Sequence, residues 1–281
     1  MIKKQLALYC VSSAFACLVA TNLYAAGTTS TAADTEEWVD LFNGKDLSNW
    51  SPKVRGYPLG ENALDTFRVK DGIMQIRYDK YDEFGGKFGH IFSNAGPFSY
   101  YKIQVEYRFV GDQVKGGPDW AYRNNGIMFH TQDPKTMTVE QDFPGCMEYQ
   151  LLGGNGKDAR STGNLCTPGS QVVINGELRK DHCMNSTSDT FHGDQWVTAE
   201  LVVHGSKLAQ HIINGKKVFE YNDLQWDDGK PMEGGYIALQ AETAPTDFRK
   251  VRILNLEGCM DKKAKNYKSY FVKDNPKVCK F

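Results

Sequence analysis

Between residues 66 and 256, apolar side chains recur at every second position over short runs, and several runs meet at an Asp-Gly or Asn-Gly pair. A period of two is the mark of a strand with one buried face. Thr66–Lys70 and Ile73–Tyr78 flank Asp71-Gly72, a two-residue hairpin signal. Ile103, Val105, Tyr107 and Phe109 alternate with Gln104, Glu106 and Arg108. Trp196–His204 and Lys207–Ile213 form a further pair, and Asn214-Gly215 turns the chain into Lys217–Tyr221. Gly235–Glu242 and Phe248–Leu256 close the series. No segment of useful length has a helical period, and there is no tandem repeat. This pattern predicts an all-β sandwich or jelly roll.

Around this body the chain divides into four parts. Residues 1–26 read as a secretory signal: Lys3 and Lys4, an apolar stretch from Leu6 to Ala20, then Ala25 and Ala26. The stretch is too short and too poorly flanked for a membrane span. Cys17 raises a lipoprotein reading, which Ala14 three positions upstream, in place of Leu, disfavours. Residues 27–35 form a Thr/Ala-rich leader, 36–257 the β body, and 258–281 a basic tail with Cys259 and Cys279 near its ends. Export to a periplasmic or extracellular location permits disulfides. Spacing pairs Cys166 with Cys183 and Cys259 with Cys279 and leaves Cys146 over, although sequence does not fix connectivity. Without the signal the chain has 31 basic and 34 acidic residues, a net charge of −3, with +5 in the tail and −8 in the body. Such a balance gives no case for nucleic acid as a partner.

Candidate chemistry centres on Arg123–Leu152. In Cys146–Leu152, Met147, Tyr149 and Leu151 point one way and Glu148 and Gln150 the other. A carboxylate beside an amide on one sheet face suits a polyhydroxylated ligand. A solvated outer face is the plainer alternative. Gln240 and Glu242 repeat this spacing on a second strand. The segment Gly153–Ser188 lacks periodicity and reads as a long loop, functional or disordered, with a disulfide arguing for order.

Several segments, taken in order, resemble the 3-keto-disaccharide hydrolase domain family. They are Trp38-Val39-Asp40-Leu41-Phe42-Asn43-Gly44-Lys45-Asp46-Leu47 with Trp50, Asn124-Asn125-Gly126-Ile127, and Glu148-Tyr149-Gln150-Leu151-Leu152. His211 with Asn214-Gly215, and Gly235 to Glu242 with Phe248-Arg249, complete the set. The resemblance implies a concanavalin A-like jelly roll and saccharide substrates oxidised at C3. It implies Glu148 or His211 as catalytic base or acid, with Asn125, Gln150, Gln240 and Glu242 holding hydroxyls. His130 and His182 are further candidates for substrate binding, and Arg249 or a bound metal ion is the candidate for stabilising an enolate. His130 stands where the family often has Arg, and Gly153 where Asp often follows.

Each residue has a plainer reading. His211 can be a satisfied core histidine, Asn125 a turn residue, and Arg249 half of an ion pair. Trp120 and Tyr122 can stack on a sugar or plug the core, and His90, His192 and His204 read as structural or surface residues. Folds of this type often carry calcium, yet no EF-hand loop is present and no ligand set is identifiable from sequence. Two rival functions share the fold. One is a non-catalytic carbohydrate-binding module. The other is a laminarinase-type glucanase, whose Glu-x-Asp-x-x-Glu string this chain lacks. The sequence leaves the oligomeric state open.

Overall fold

The computed structural model describes residues 35–281, so the signal peptide and nearly all of the leader lie outside the described residues. The alternating runs become two antiparallel sheets packed face to face. The back sheet has ten strands. Nine run in the order Glu177–Arg179, Ser170–Ile174, Lys216–Trp226, Leu208–Ile213, Val197–His204, Tyr100–Phe109, Thr246–Asn255, Ile73–Ile76 and Phe67–Lys70, and Val39–Asp40 also pairs with Thr246–Asn255. The front sheet has seven, in the order Cys183–Met184, Asn164–Cys166, Met147–Leu152, Asn124–Thr131, Tyr236–Ala241, Gly89–Ser93 and Trp50–Val54. The four described helical segments are three-residue 3-10 turns. The all-β sandwich expected from the period of two is therefore the observed fold.

Turn chemistry sets the hairpins. Asp71 and Gly72 both adopt positive φ, 52° and 76°, as a two-residue hairpin demands. Asn214 and Gly215 do the same at 48° and 81°. Between the sheets, Ile127, Tyr149, Leu239 and Ile91 of the front sheet pack with Ile103, Val105, Leu201 and Phe248 of the back sheet. All eight are fully buried. Burying one such side chain stabilises the fold by about 1.5–3 kcal/mol.

Two stretches differ from the expectation. Gly153–Ser188 is not one long loop: it contributes four short strands, which form one edge of both sheets. Its runs are two to five residues, too short to show a period. Lys216–Trp226 also continues beyond Tyr221, because its far half pairs with Ser170–Ile174. Cys166–Cys183 and Cys259–Cys279 are bonded, and Cys146 is free and buried. Two disulfides fit an oxidising, exported location.

The C-terminal tail packs against the back sheet. Tyr270 and Trp38 lie on an apolar cluster of Tyr100, Val202, Leu254 and Leu256. Glu257–Gly258 and Lys273–Asp274 form a small parallel pair, and Lys268 reaches Glu37 at 2.5 Å. No helix among the described residues is long and apolar enough to cross a membrane.

Candidate active site

Residues directly opposite one another in an antiparallel pair share a sheet face. Glu148 stands opposite Met128 and Cys166, and Cys166 opposite Cys183. Two positions along, Gln150 stands opposite Gly126 and Asn164. Gln240 stands opposite His90, and His90 opposite Lys53. Register thus gathers Glu148, Gln150, Asn164, Asn124, Gln240 and His90 on the outer face of the front sheet. Glu242 follows Gln240 by two residues, just past its strand. The intervening residues, Ile127, Tyr149, Leu151 and Leu239, face the core.

A cavity of about 350 Å³ lies over this face. Its walls are Trp120, Phe143, Asn124, Glu148, Gln150, Glu242, Pro168, His182 and the Cys166–Cys183 disulfide. That is within the roughly 300–1,000 Å³ range of small-molecule sites, and its mix of apolar walls and a few polar groups is also typical of them.

Two carboxyls dominate the cavity. Glu148 and Glu242 are nearly inaccessible, at 5% and 2% exposure. Neither forms a salt bridge or accepts a side-chain hydrogen bond among the described residues. Burial pushes Glu148 up to about 8. It pushes Glu242 well above the carboxylate range, with the Glu148 charge adding and Arg160 opposing. Neighbouring carboxyls in a low-dielectric space resist double ionisation, so the pair separates into one that ionises more readily and one that keeps its proton.

The close packing around Glu148 depends on a glycine. A Cβ on Gly126 would sit 2.7 Å from Glu148 Oε1 and 2.9 Å from its Cγ. Gln150 Oε1 accepts a 3.1 Å hydrogen bond from Asn164 Nδ2, which leaves the Gln150 amide N–H groups free to donate. Asn124 Oδ1, Gln240 Oε1 and Glu242 Oε2 are buried acceptors without a partner among the described residues. Buried acceptors of this kind are costly unless a donor reaches them, and sugar hydroxyls are donors.

Not every residue singled out from the sequence reaches this cavity. Gln240 lies on the correct face but beneath the surface beside His90. Asn125 shares the parity of Ile127 and points inward. Its Oδ1 accepts from the Gly126 N–H at 2.8 Å, and its Nδ2 approaches Thr246 Oγ1 at 3.4 Å. The neighbouring Asn124 borders the cavity instead. Parity with Ile127 and Phe129 is the sequence signal that separates the two amides.

His211 lies in the core of the back sheet, stacked on the Tyr149 ring at 4.0 Å between centroids. Its Nδ1–H donates to Gly163 O, leaving Nε2 to accept from the Tyr221 hydroxyl, both at 2.9 Å. Burial lowers its pKa to about 3, so it is neutral. His130, also fully buried, donates from Nε2 to Gly205 O at 3.1 Å on the core side. Arg249 belongs to the back sheet. It pairs with Glu106 at 2.5 Å, covers the Trp196 ring at 4.1 Å, and its side chain is 42% exposed. The outer face of the back sheet therefore holds Arg249, and the core holds both histidines, away from the two carboxyls.

Phe143 and Asn124 border the cavity, Arg160 acts from beside it, and His90, which reads from the sequence as structural or surface, lies buried beneath the sheet face. His90 is fully buried, its two ring nitrogens lack partners among the described residues, and burial lowers its pKa to about 3. Arg160 acts on Glu242 from behind the wall of the cavity. Nothing in the local sequence marks it, because it lies in an aperiodic segment.

No group of three or more His, Cys, Asp or Glu side chains among the described residues is placed to hold a metal ion. Calcium takes six to eight oxygen ligands, and the cavity brings only two carboxyl side chains together.

Residues 37–254 match the family model for the 3-keto-alpha-glucoside-1,2-lyase-like domain, and the chain belongs to that family. No curated protein matches the chain. Similar solved structures include a candidate glycosyl hydrolase from Parabacteroides distasonis, 18% identical, with a TM-score of 0.49 over 78% of this chain and all of that one. The metal-free exoplasmic/lumenal domain of VIP36 is 12% identical, with a TM-score of 0.48 over 78% of this chain and 90% of that one. LamAcat from Zobellia galactanivorans is 12% identical, with a TM-score of 0.45 over 73% of this chain and 91% of that one.

Proposed function

We propose that the protein cleaves 3-keto-glycosides by β-elimination followed by hydration, with Glu148 as base and Glu242 as acid. The observation that carries this reading is the pair of buried, unbridged carboxyls, Glu148 and Glu242, that line one sugar-sized cavity. The family's name supports the substrate class.

A ketone at C3 acidifies the proton on C2. Ionised Glu148 removes that proton, and the electron pair becomes an enolate on C3. When the enolate collapses, a C1–C2 double bond forms and the C1–O bond breaks. Glu242 gives its proton to the departing oxygen. Water then adds across C1–C2 to give the free 3-keto sugar, so the net reaction is hydrolysis without an oxocarbenium ion. The amide N–H groups of Gln150 and Asn124 border the same space and are the donors for the enolate oxygen. Arg249, on the other sheet, has no part in this scheme. A positioned acid or base contributes about 10²–10⁴-fold, and donors to a developing oxyanion contribute about 10²–10³-fold.

The base must be ionised, so kcat/KM rises with pH through about 8, where Glu148 titrates. The test is aglycone release from a 3-keto-glucoside across pH 5–10. The wild-type protein should show that limb, and Glu148→Gln should lose about 10²-fold or more at every pH. Full activity in Glu148→Gln sinks the assignment. Saccharide binding by wild type with no product would instead leave a carbohydrate-binding module.

A further inference from the structure

The basic C-terminal tail is a folded lobe and not a loose end. Cys259 is bonded to Cys279. Inside that link two segments lie side by side. Lys265 N–H donates to Lys280 O at 2.7 Å, Asn266 Nδ2 donates to Val278 O at 2.8 Å, and Lys280 N–H donates to Asn266 Oδ1 at 2.8 Å. The lobe is fixed to the body as well. Val272 and Lys273 N–H donate to Leu256 O at 2.9 and 3.2 Å, and Asn275 N–H donates to Gly258 O at 2.8 Å. Its outward side chains therefore form a preset surface, which lowers the ordering cost of binding.

Two properties occur together on that surface. The first is apolar exposure. Met260, Val272, Val278 and Phe281 are 41%, 46%, 45% and 73% exposed. They are four of the eight large apolar side chains exposed among the described residues, although the tail supplies only 24 of those 247 residues. The second is charge. Seven lysines stand against Asp261 and Asp274, a balance of +5. Lys268 pairs with Glu37, and Lys265 Nζ donates to Phe281 O. Lys262, Lys263, Lys273, Lys277 and Lys280 are exposed and form no ion pair among the described residues. The two carboxylates are engaged by backbone: Asp261 accepts from Lys263 N–H at 2.9 Å and Asp274 from Met260 N–H at 3.0 Å.

A face that only meets water needs the lysines but gains nothing from exposed valine and phenylalanine. A soluble polyanion would use the charges and leave the apolar groups wet. An anionic lipid surface satisfies both, because headgroup phosphates attract the lysines and the acyl boundary takes the apolar side chains. The lobe rests on the back sheet through Tyr270 and the cluster of Tyr100, Val202, Leu254 and Leu256. The carboxyl cavity lies over the front sheet, so a surface bound at the lobe leaves the cavity open.

We propose that the disulfide-closed tail, residues 258–281, docks the protein peripherally on an anionic phospholipid surface. Lys277 and Lys280 meet the phosphates, and Val278 and Phe281 enter the boundary beside them. This assignment is independent of the reaction assigned to the cavity.

The test is co-sedimentation with vesicles. Wild type should bind equimolar phosphatidylglycerol and phosphatidylcholine about tenfold or more tightly than phosphatidylcholine alone, and salt at about 1 M should erase that preference. Lys277→Glu/Lys280→Glu should weaken binding to the anionic vesicles about tenfold or more. Val278→Ser/Phe281→Ser should weaken it about tenfold. All four side chains are exposed, so both variants should melt within a few degrees of wild type. Lys262→Glu/Lys263→Glu replaces the first variant if it melts early. Equal binding to the two kinds of vesicle, or anionic binding that the lysine variants leave intact, overturns the proposal. Weakening by the lysine variants alone leaves a site for a soluble acidic polymer and overturns the lipid assignment. A mass that grows with protein concentration without vesicles, and that the lysine variants abolish, makes the partner the acidic body of a second copy and also overturns it.

Discussion

Glu148 carries a stability cost that follows from its position. Its carboxyl titrates at about 8 in the folded protein, raised by burial from a value of 4.5. A raised pKa means that the folded state binds the proton more tightly than the unfolded chain does. The stabilising contribution is fully present below pH 4.5, declines as pH rises, and is lost above about 8. The slope in that window is about 1.4 kcal/mol per pH unit. Glu148→Gln should therefore melt higher than wild type at pH 8–9 and nearly the same at pH 4.5. Thermal denaturation at the two pH values checks it, and an unchanged difference would deny that Glu148 is buried as a neutral acid. Gly126 is a second test at this scale. A Cβ there meets Glu148 Oε1 at 2.7 Å, and Gly126 is not at positive φ, so alanine acts by displacing the carboxyl and not by straining the backbone. Gly126→Ala should lower kcat about tenfold or more while melting within a few degrees of wild type, read by steady-state kinetics beside a melting curve.

The strands at one edge of the front sheet form a wall of the cavity, and a covalent bond holds them. Cys166 opposes both Glu148 and Cys183, so the disulfide lies beside the carboxyl it helps enclose. Cross-linking residues 17 apart restricts the unfolded chain by about 3 kcal/mol on the entropic model. A Cys166→Ser/Cys183→Ser variant should lose about that much stability in urea denaturation. Because the wall loosens, its KM should also rise for any 3-keto-glycoside, and a stability loss with KM unchanged would show that the edge strands stay in place without the bond. This edge was also the least legible part of the chain. Gly153–Ser188 is rich in Gly, Asn, Ser and Thr, and its strands are held by pairing and the disulfide more than by any pattern of their own. By contrast, Met147–Leu152 announced its two faces, because the core takes Met147, Tyr149 and Leu151 and the cavity takes Glu148 and Gln150.

At the scale of the molecule, the two sheets have different tasks. The back sheet carries ion pairs such as Arg249 with Glu106 on one face and the C-terminal tail on part of it. The front sheet presents the cavity. Removing residues 258–281 would uncover Leu254, Leu256 and Tyr100, and this should lower the melting temperature and promote aggregation. Turnover per folded molecule should persist, because the cavity is built on the other sheet. Light scattering and activity measured together separate the two effects.

The period of two and the Asp-Gly and Asn-Gly turns determined the all-β sandwich, because these are local properties of neighbouring residues, while the cysteine spacing suggested the disulfide pairs and the fold made them. The Glu148/Gln150 and Gln240/Glu242 pairs were legible for the same reason. Only the tertiary structure decided which of them meet. Register placed Asn124 and not Asn125 at the cavity, put His130 and His211 in the core, and left Arg249 on the other sheet. It also brought Trp120 and Arg160 to Glu242 from distant parts of the chain. Whether a side chain on a strand faces a core, a cavity or solvent depends on what packs against that strand, and that partner is set by pairing across more than a hundred residues.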